Sequence, residues 1–138
     1  MNFTDNTVTS HNDNHIHVIL CEPGQKARIT TIENQLESLQ TAVGGYIEAI
    51  YPFTDPVAIV CNEEGKLNGM ALNRALRDDA GQIQDILAGP FLIVGLGKED
   101  FVSLTKELQA KYSRMFELPE MFFWDGNQIQ CIRINVSD

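Results

Sequence analysis

Ile16, Val18 and Leu20 fall on alternate positions, one strand face, in residues 15–21, and the run stops at Glu22-Pro23-Gly24. That pattern predicts a half-buried strand ending in a turn. Residues 27–31 are expected to return as the second strand of a hairpin. The period changes from Thr30, because Ile32, Leu36, Leu39 and Val43 are spaced four, three and four apart, one face of a helix. Thr30 with Glu33 reads as its capping box and Gly44-Gly45 as its left-handed stop. Residues 46–51 and 57–61 then predict two strands around Pro52 and Pro56. Residues 62–66 predict a tight turn in which Gly65 takes positive φ.

Residues 67–77 have no period and are expected to form an irregular segment spanning the surface. Asp79 and Gln82 are spaced to cap a short helix through Leu87. After Gly89-Pro90, the unbroken run Phe91-Leu92-Ile93-Val94 predicts a central strand covered on both faces. Leu104, Leu108, Tyr112 and Met115 define one face of a second helix over 103–116, ended by Leu118-Pro119. Residues 121–136 predict a C-terminal hairpin on Asp125-Gly126, with a bulge where the apolar phase slips between Ile129, Cys131 and Ile132. Residues 1–14, rich in Asn, Asp, Thr, Ser and His, predict a flexible arm. Short turns between strands favour a single α+β domain with a mainly antiparallel (mixed) sheet, two main helices and a C-terminal β-hairpin. Its parts are an arm (1–14), a core (15–116) and a hairpin extension of the same domain (117–138).

Composition narrows the function. The 138 residues, 43% of them apolar, suffice for one core. Ten Lys and Arg against 19 Asp and Glu give a net charge of −9, which disfavours direct nucleic-acid binding. The absence of a long apolar run or a signal-peptide pattern leads us to expect a cytoplasmic protein with no membrane partner. Cys21, Cys61 and Cys131 are far apart and odd in number, as expected of reduced, buried thiols.

The candidate chemistry is sparse. His15 and His17 share a strand face with Cys21, and His11 is near in sequence, but nothing nearby completes a metal shell, so no metal and no cofactor is expected. Gly95-Leu96-Gly97-Lys98 lacks the spacing of a phosphate loop and reads as a strand-to-helix turn. No nucleophile elbow occurs, and no catalytic residue is assigned. The most suggestive polar group is Tyr46 and Glu48 on one strand face, Asn62, and Asn73 with Arg74. If residues 67–77 fold back over that face, Arg74 pairs with Glu48, either as a structural ion pair or as part of a ligand site.

The order Gly44-Gly45-Tyr46-Ile47-Glu48, Cys61-Asn62-Glu63-Glu64-Gly65-Lys66, Asn73-Arg74-Ala75 and Ala88-Gly89-Pro90-Phe91-Leu92-Ile93-Val94-Gly95 resembles the family labelled domain of unknown function 3846. The likeness spans residues 16–116. That family occurs in bacteria, phages and other mobile elements and has no established activity to carry over. The resemblance implies an accessory protein that binds and sequesters a host protein or a small nucleotide-like ligand without catalysis, counter-defence being one form of that role. Two alternatives stay open. One is a small enzyme acting on a nucleotide or modified peptide, with Glu48 as acid or base and Arg74 as anion clamp; the other is a purely structural interaction module. Met121, Phe122, Phe123 and Trp124 concentrate large apolar side chains beyond the core, from which a homo-oligomer is expected.

Overall fold

The computed structural model describes residues 14–136, so most of the expected N-terminal arm, His11 included, lies outside the described residues. The elements are β1 (His15–Cys21), β2 (Arg28–Glu33), α1 (Leu36–Val43), β3 (Ile47–Ile50), β4 (Val57–Asn62), β5 (Leu72–Arg77), β6 (Ile83–Ala88), β7 (Phe91–Leu96), β8 (Phe101–Val102), α2 (Lys106–Met115), β9 (Glu120–Trp124) and β10 (Ile129–Arg133). The main sheet runs β2-β1-β7-β4-β3, with β8 also paired to β7, and every pairing is antiparallel. The hairpins β5–β6 and β9–β10 are separate two-stranded ribbons. The protein is thus an α+β domain with a mainly antiparallel sheet.

Period-two alternation divides the sheet's side chains between two cores. Val18, Ala58, Val60, Leu92 and Val94 pack with Leu39 and Val43 of α1. Ile19, Cys21, Ile59, Phe91 and Ile93 pack on the other side with Leu104, Tyr112, Phe116 and the β5–β6 residues Leu76 and Leu87. The central strands β4 and β7 are therefore buried on both faces, as the run 91–94 predicts.

Several expectations are corrected. Thr30 and Glu33 do not cap α1: they pair with Val18 and His15 in the β1–β2 ladder, and Gln35 stands at the N-cap without a side-chain bond. The ladder extends β2 to Glu33, so Ile32 belongs to a strand facing the α1 core, and its helical spacing from Leu36 is coincidental. At the other end Gly44 adopts the expected left-handed conformation, with φ of 81°. Gly65 is not among the glycines with positive φ; a Cβ there would lie 2.7 Å from the carbonyl oxygen of Ala88, so close backbone approach selects it.

Residues 72–77 form a strand, most of it buried, where an irregular surface segment was expected. Residues 83–88 form its hairpin partner, where a short helix was expected. The carboxylate of Asp78 accepts from the amides of Ala80 and Gln82, and Gly81 turns the chain at φ of 83°. The polar signal at 78–82 therefore closes a β-turn. After β7 the chain makes a further hairpin to β8 before reaching α2, so residues 95–98 do not lead straight into a helix. Thr105 caps α2 by accepting from the Leu108 amide at 3.2 Å. The C-terminal ribbon pairs in unbroken register from Glu120↔Arg133 to Trp124↔Ile129, without the expected bulge. Its apolar phase slips because both faces carry apolar residues: Phe122 and Cys131 on one, Met121 and Ile132 on the other.

Candidate functional site

The structure disperses the five polar residues singled out in the sequence. Arg74 does not pair with Glu48. It is fully buried, and its guanidinium donates to the Phe116 carbonyl from Nε and Nη2, to the Gln25 carbonyl from Nη2 and to Asn73 Oδ1 from Nη1. Burial lowers its pKa from the ordinary guanidinium value, against the fields of Cys21 and Glu120. A cation at the C-terminus of α2 also meets the negative end of the helix dipole. Asn73, equally buried, donates to the carbonyls of Cys21 and Gly89. These two side chains pin β5, the β1–β2 turn and α2 together, and their burial removes them from any surface a ligand reaches in this conformation. The enzyme reading thereby loses its anion clamp.

Asn62 is also buried and structural, donating to the Val43 carbonyl and accepting from the Glu64 amide. Tyr46 is 71% exposed on the edge of the sheet. Glu48 is exposed and lines a cleft of about 200 Å³ with Cys61, Asn62, Lys66 and Asp85, where Lys66 is bonded to Asp85 at 2.7 Å. Burial pushes the Cys61 thiol up to about 11, with the carboxylates of Glu48 and Asp85 adding to the effect. Of the five residues, Glu48 and Asn62 line this cleft together, while Asn73 and Arg74 are bonded to each other elsewhere in the fold. His15 and His17 are exposed while Cys21 is buried, and no group of three potential metal ligands is assembled among the described residues.

A larger groove, of about 710 Å³, opens between α2, the 52–54 loop, β5 and the C-terminal ribbon. Tyr112, Phe116 and Leu76 form its inner wall, and Phe53 is held against Tyr112 with ring centroids 4.8 Å apart and 48° between planes. Phe53 also meets the edge of Phe116 at 6.3 Å. Met115 adds a partly exposed thioether surface. Arg77 enters from β5 and is gripped by Glu120 through two bonds, at 2.8 and 3.2 Å. The Glu120 side chain is only 3% exposed, so this forked pair is largely withdrawn from water. It raises the Arg77 pKa, the bond with Glu120 being the main cause. Lys111 and the Tyr112 hydroxyl both donate to Asp55 Oδ2, at 2.6 and 2.7 Å, which ties the loop before β4 to α2. Arg133 of β10 completes the rim.

Sequence reasoning missed Phe53, Arg77, Tyr112 and Arg133 as a group. They lie on four elements, and only tertiary packing brings them together. The available signal was a second arginine, three residues after Arg74, on a segment read as irregular.

With this geometry in hand, the comparison with known families is definite. The family described as domain of unknown function (DUF3846) matches residues 16–117, and the chain belongs to it. No curated protein and no solved structure matches the chain. The matched span contains Phe53, Arg77, Lys111, Tyr112 and Phe116, while Glu120 and Arg133 lie beyond it. The groove is therefore built jointly by the family core and by the C-terminal ribbon that follows it. No helix among the described residues is long and apolar enough to cross a membrane.

Proposed function

We propose that this protein is a non-enzymatic binding protein that sequesters a small nucleotide-like ligand in the groove between α2, β5 and the C-terminal ribbon. One observation carries the reading: in a groove of about 710 Å³ the half-buried ring of Phe53, backed by the buried rings of Tyr112 and Phe116, lies beside the guanidinium groups of Arg77 and Arg133. Sites for small ligands usually fall between about 300 and 1,000 Å³, mostly apolar with a few placed polar groups. A planar ring can lie against the Phe53 face and the Met115 thioether, and Arg133 supplies directional donors. The mobile-element setting implied by the family resemblance suits a protein that acts by removing a ligand from circulation.

The test is native mass spectrometry of protein purified from its host, followed by thermal shift with a panel of mononucleotides and nucleosides. A ligand present at about 100 times its Kd stabilises the folded state by about 2.7 kcal/mol, a shift of several degrees. Phe53→Ala should abolish that shift. An apo mass together with no shift from any panel member at millimolar concentration would defeat the reading.

A second reading, contact with another protein chain, is favoured by the outer face of the C-terminal ribbon. Met121, Phe123 and Ile132 lie on that face and are 54%, 43% and 53% exposed. A second copy of the chain is the occupant we propose there, which makes a homo-oligomer.

A further inference from the structure

We infer that the groove selects an aromatic ligand carrying an anionic group, phosphate or carboxylate, and that Arg133 is the residue that reads that group. This inference rests on the groove being the ligand site. It follows from which charges in the groove are already engaged. Arg77 is committed to Glu120 through both Nη1 and Nη2. Lys111 is committed to Asp55. Among the carboxylates, Asp78 is committed to its own turn, accepting from the amides of Ala80 and Gln82 on Oδ1 and from the Gln84 side chain on Oδ2. Of the charged groups in the lining, Asp79 and Arg133 remain with neither an ion pair nor a side-chain hydrogen bond among the described residues.

Their positions differ in kind. Asp79 sits in the exposed turn between β5 and β6. Arg133, also exposed, rises from a strand directly across the ladder from Glu120, so it stands on the same ribbon face as the carboxylate that grips Arg77. Glu120 satisfies Arg77 and leaves Arg133 as the uncommitted fork. A guanidinium presents paired donors that match a carboxylate or a phosphate in a bidentate fashion. The aromatic wall lies in the same groove, so one ligand can place a ring against Phe53 and its anion at Arg133. Because Arg133 lies beyond the family span, the ribbon sets the ligand preference of this particular chain.

The experiment is isothermal titration of the full chain with adenosine, adenosine monophosphate, uracil and orotate, for the wild type, Arg133→Gln and Arg133→Lys. Adenosine monophosphate or orotate should bind at least ten-fold more tightly than its uncharged counterpart, and the one that does identifies phosphate or carboxylate as the source. Arg133→Gln should erase that preference without weakening the uncharged ligand, Arg133→Lys should restore part of it, and added salt should reduce it. Equal binding of charged and uncharged ligands, or an unchanged preference in Arg133→Gln, would overturn the inference while leaving the groove as the ligand site. Binding of none of the four would count against both.

Discussion

The guanidinium of Arg74 donates twice to the backbone carbonyl of Phe116, from Nε at 3.1 Å and from Nη2 at 3.0 Å, and so closes the C-terminus of α2 from inside the protein. The same group reaches the Gln25 carbonyl at 2.7 Å, so one side chain satisfies backbone acceptors from two separate segments. An arginine that sits in the sequence like a surface anion clamp is here a fastener between elements.

Its removal should be costly. Arg74→Ala leaves the Phe116 and Gln25 carbonyls and Asn73 Oδ1 without their donor, each such loss costing about 1–3 kcal/mol, in addition to a cavity. We expect a total of at least about 3 kcal/mol by urea unfolding. Replacing Glu48 as well should add its own effect and rescue nothing, because the two side chains are not bonded. A coupling energy above about 0.5 kcal/mol in the double-mutant cycle would show that they interact after all.

Acid stability should depend on Asp55. The bond from Lys111, followed by that from the Tyr112 hydroxyl, holds its carboxyl below the usual carboxylate range. A carboxylate with a depressed folded pKa adds stability that is complete above its unfolded value, about 4, and is lost as pH falls through the folded value. Melting temperature recorded from about pH 6 down to about pH 2.5 should therefore fall less steeply for Asp55→Asn than for the wild type. Parallel curves would rule out this contribution.

The thiols should react in a fixed order. Burial pushes Cys21 up to about 12 and Cys61 up to about 11, while Cys131 is only partly buried and is raised by the same cause. Thiolate is the reactive form, so an alkylating reagent near neutral pH should label Cys131 first and slowly. Cys21 and Cys61 should become labelled only under unfolding conditions. Mass mapping that finds Cys21 modified in the native state would contradict the described packing.

Self-association should follow the outer ribbon face. Light scattering is expected to give a mass above the 15.4 kDa chain at high concentration. The mass should rise with salt as the repulsion between chains of net charge −9 is screened. Met121→Ser combined with Phe123→Ser should return the monomer with little loss of thermal stability. A wild-type chain that stays monomeric throughout would leave that face unexplained as an interface.

The sequence by itself determined the elements whose burial is written in a local period. The run Phe91-Leu92-Ile93-Val94 needs apolar cover on both faces, and it lies between β1 and β4 with a core on either side. The spacing of Leu108, Tyr112 and Met115 made α2 legible, although the helix begins at Lys106 after the Thr105 cap and leaves Leu104 outside it, and Gly44 marked the end of α1. The β5–β6 hairpin was decided by tertiary structure alone. Its first strand buries Asn73 and Arg74, whose donors are satisfied by carbonyls from residues 16 to 52 positions away, so no local apolar pattern announces a strand. The candidate site escaped for the same reason. Phe53, Arg77, Tyr112 and Arg133 become neighbours only when the 52–54 loop, β5, α2 and the C-terminal ribbon pack around one groove. Local periodicity reports which side of an element is apolar, but which charges stay unpaired depends on partners brought in from distant parts of the chain.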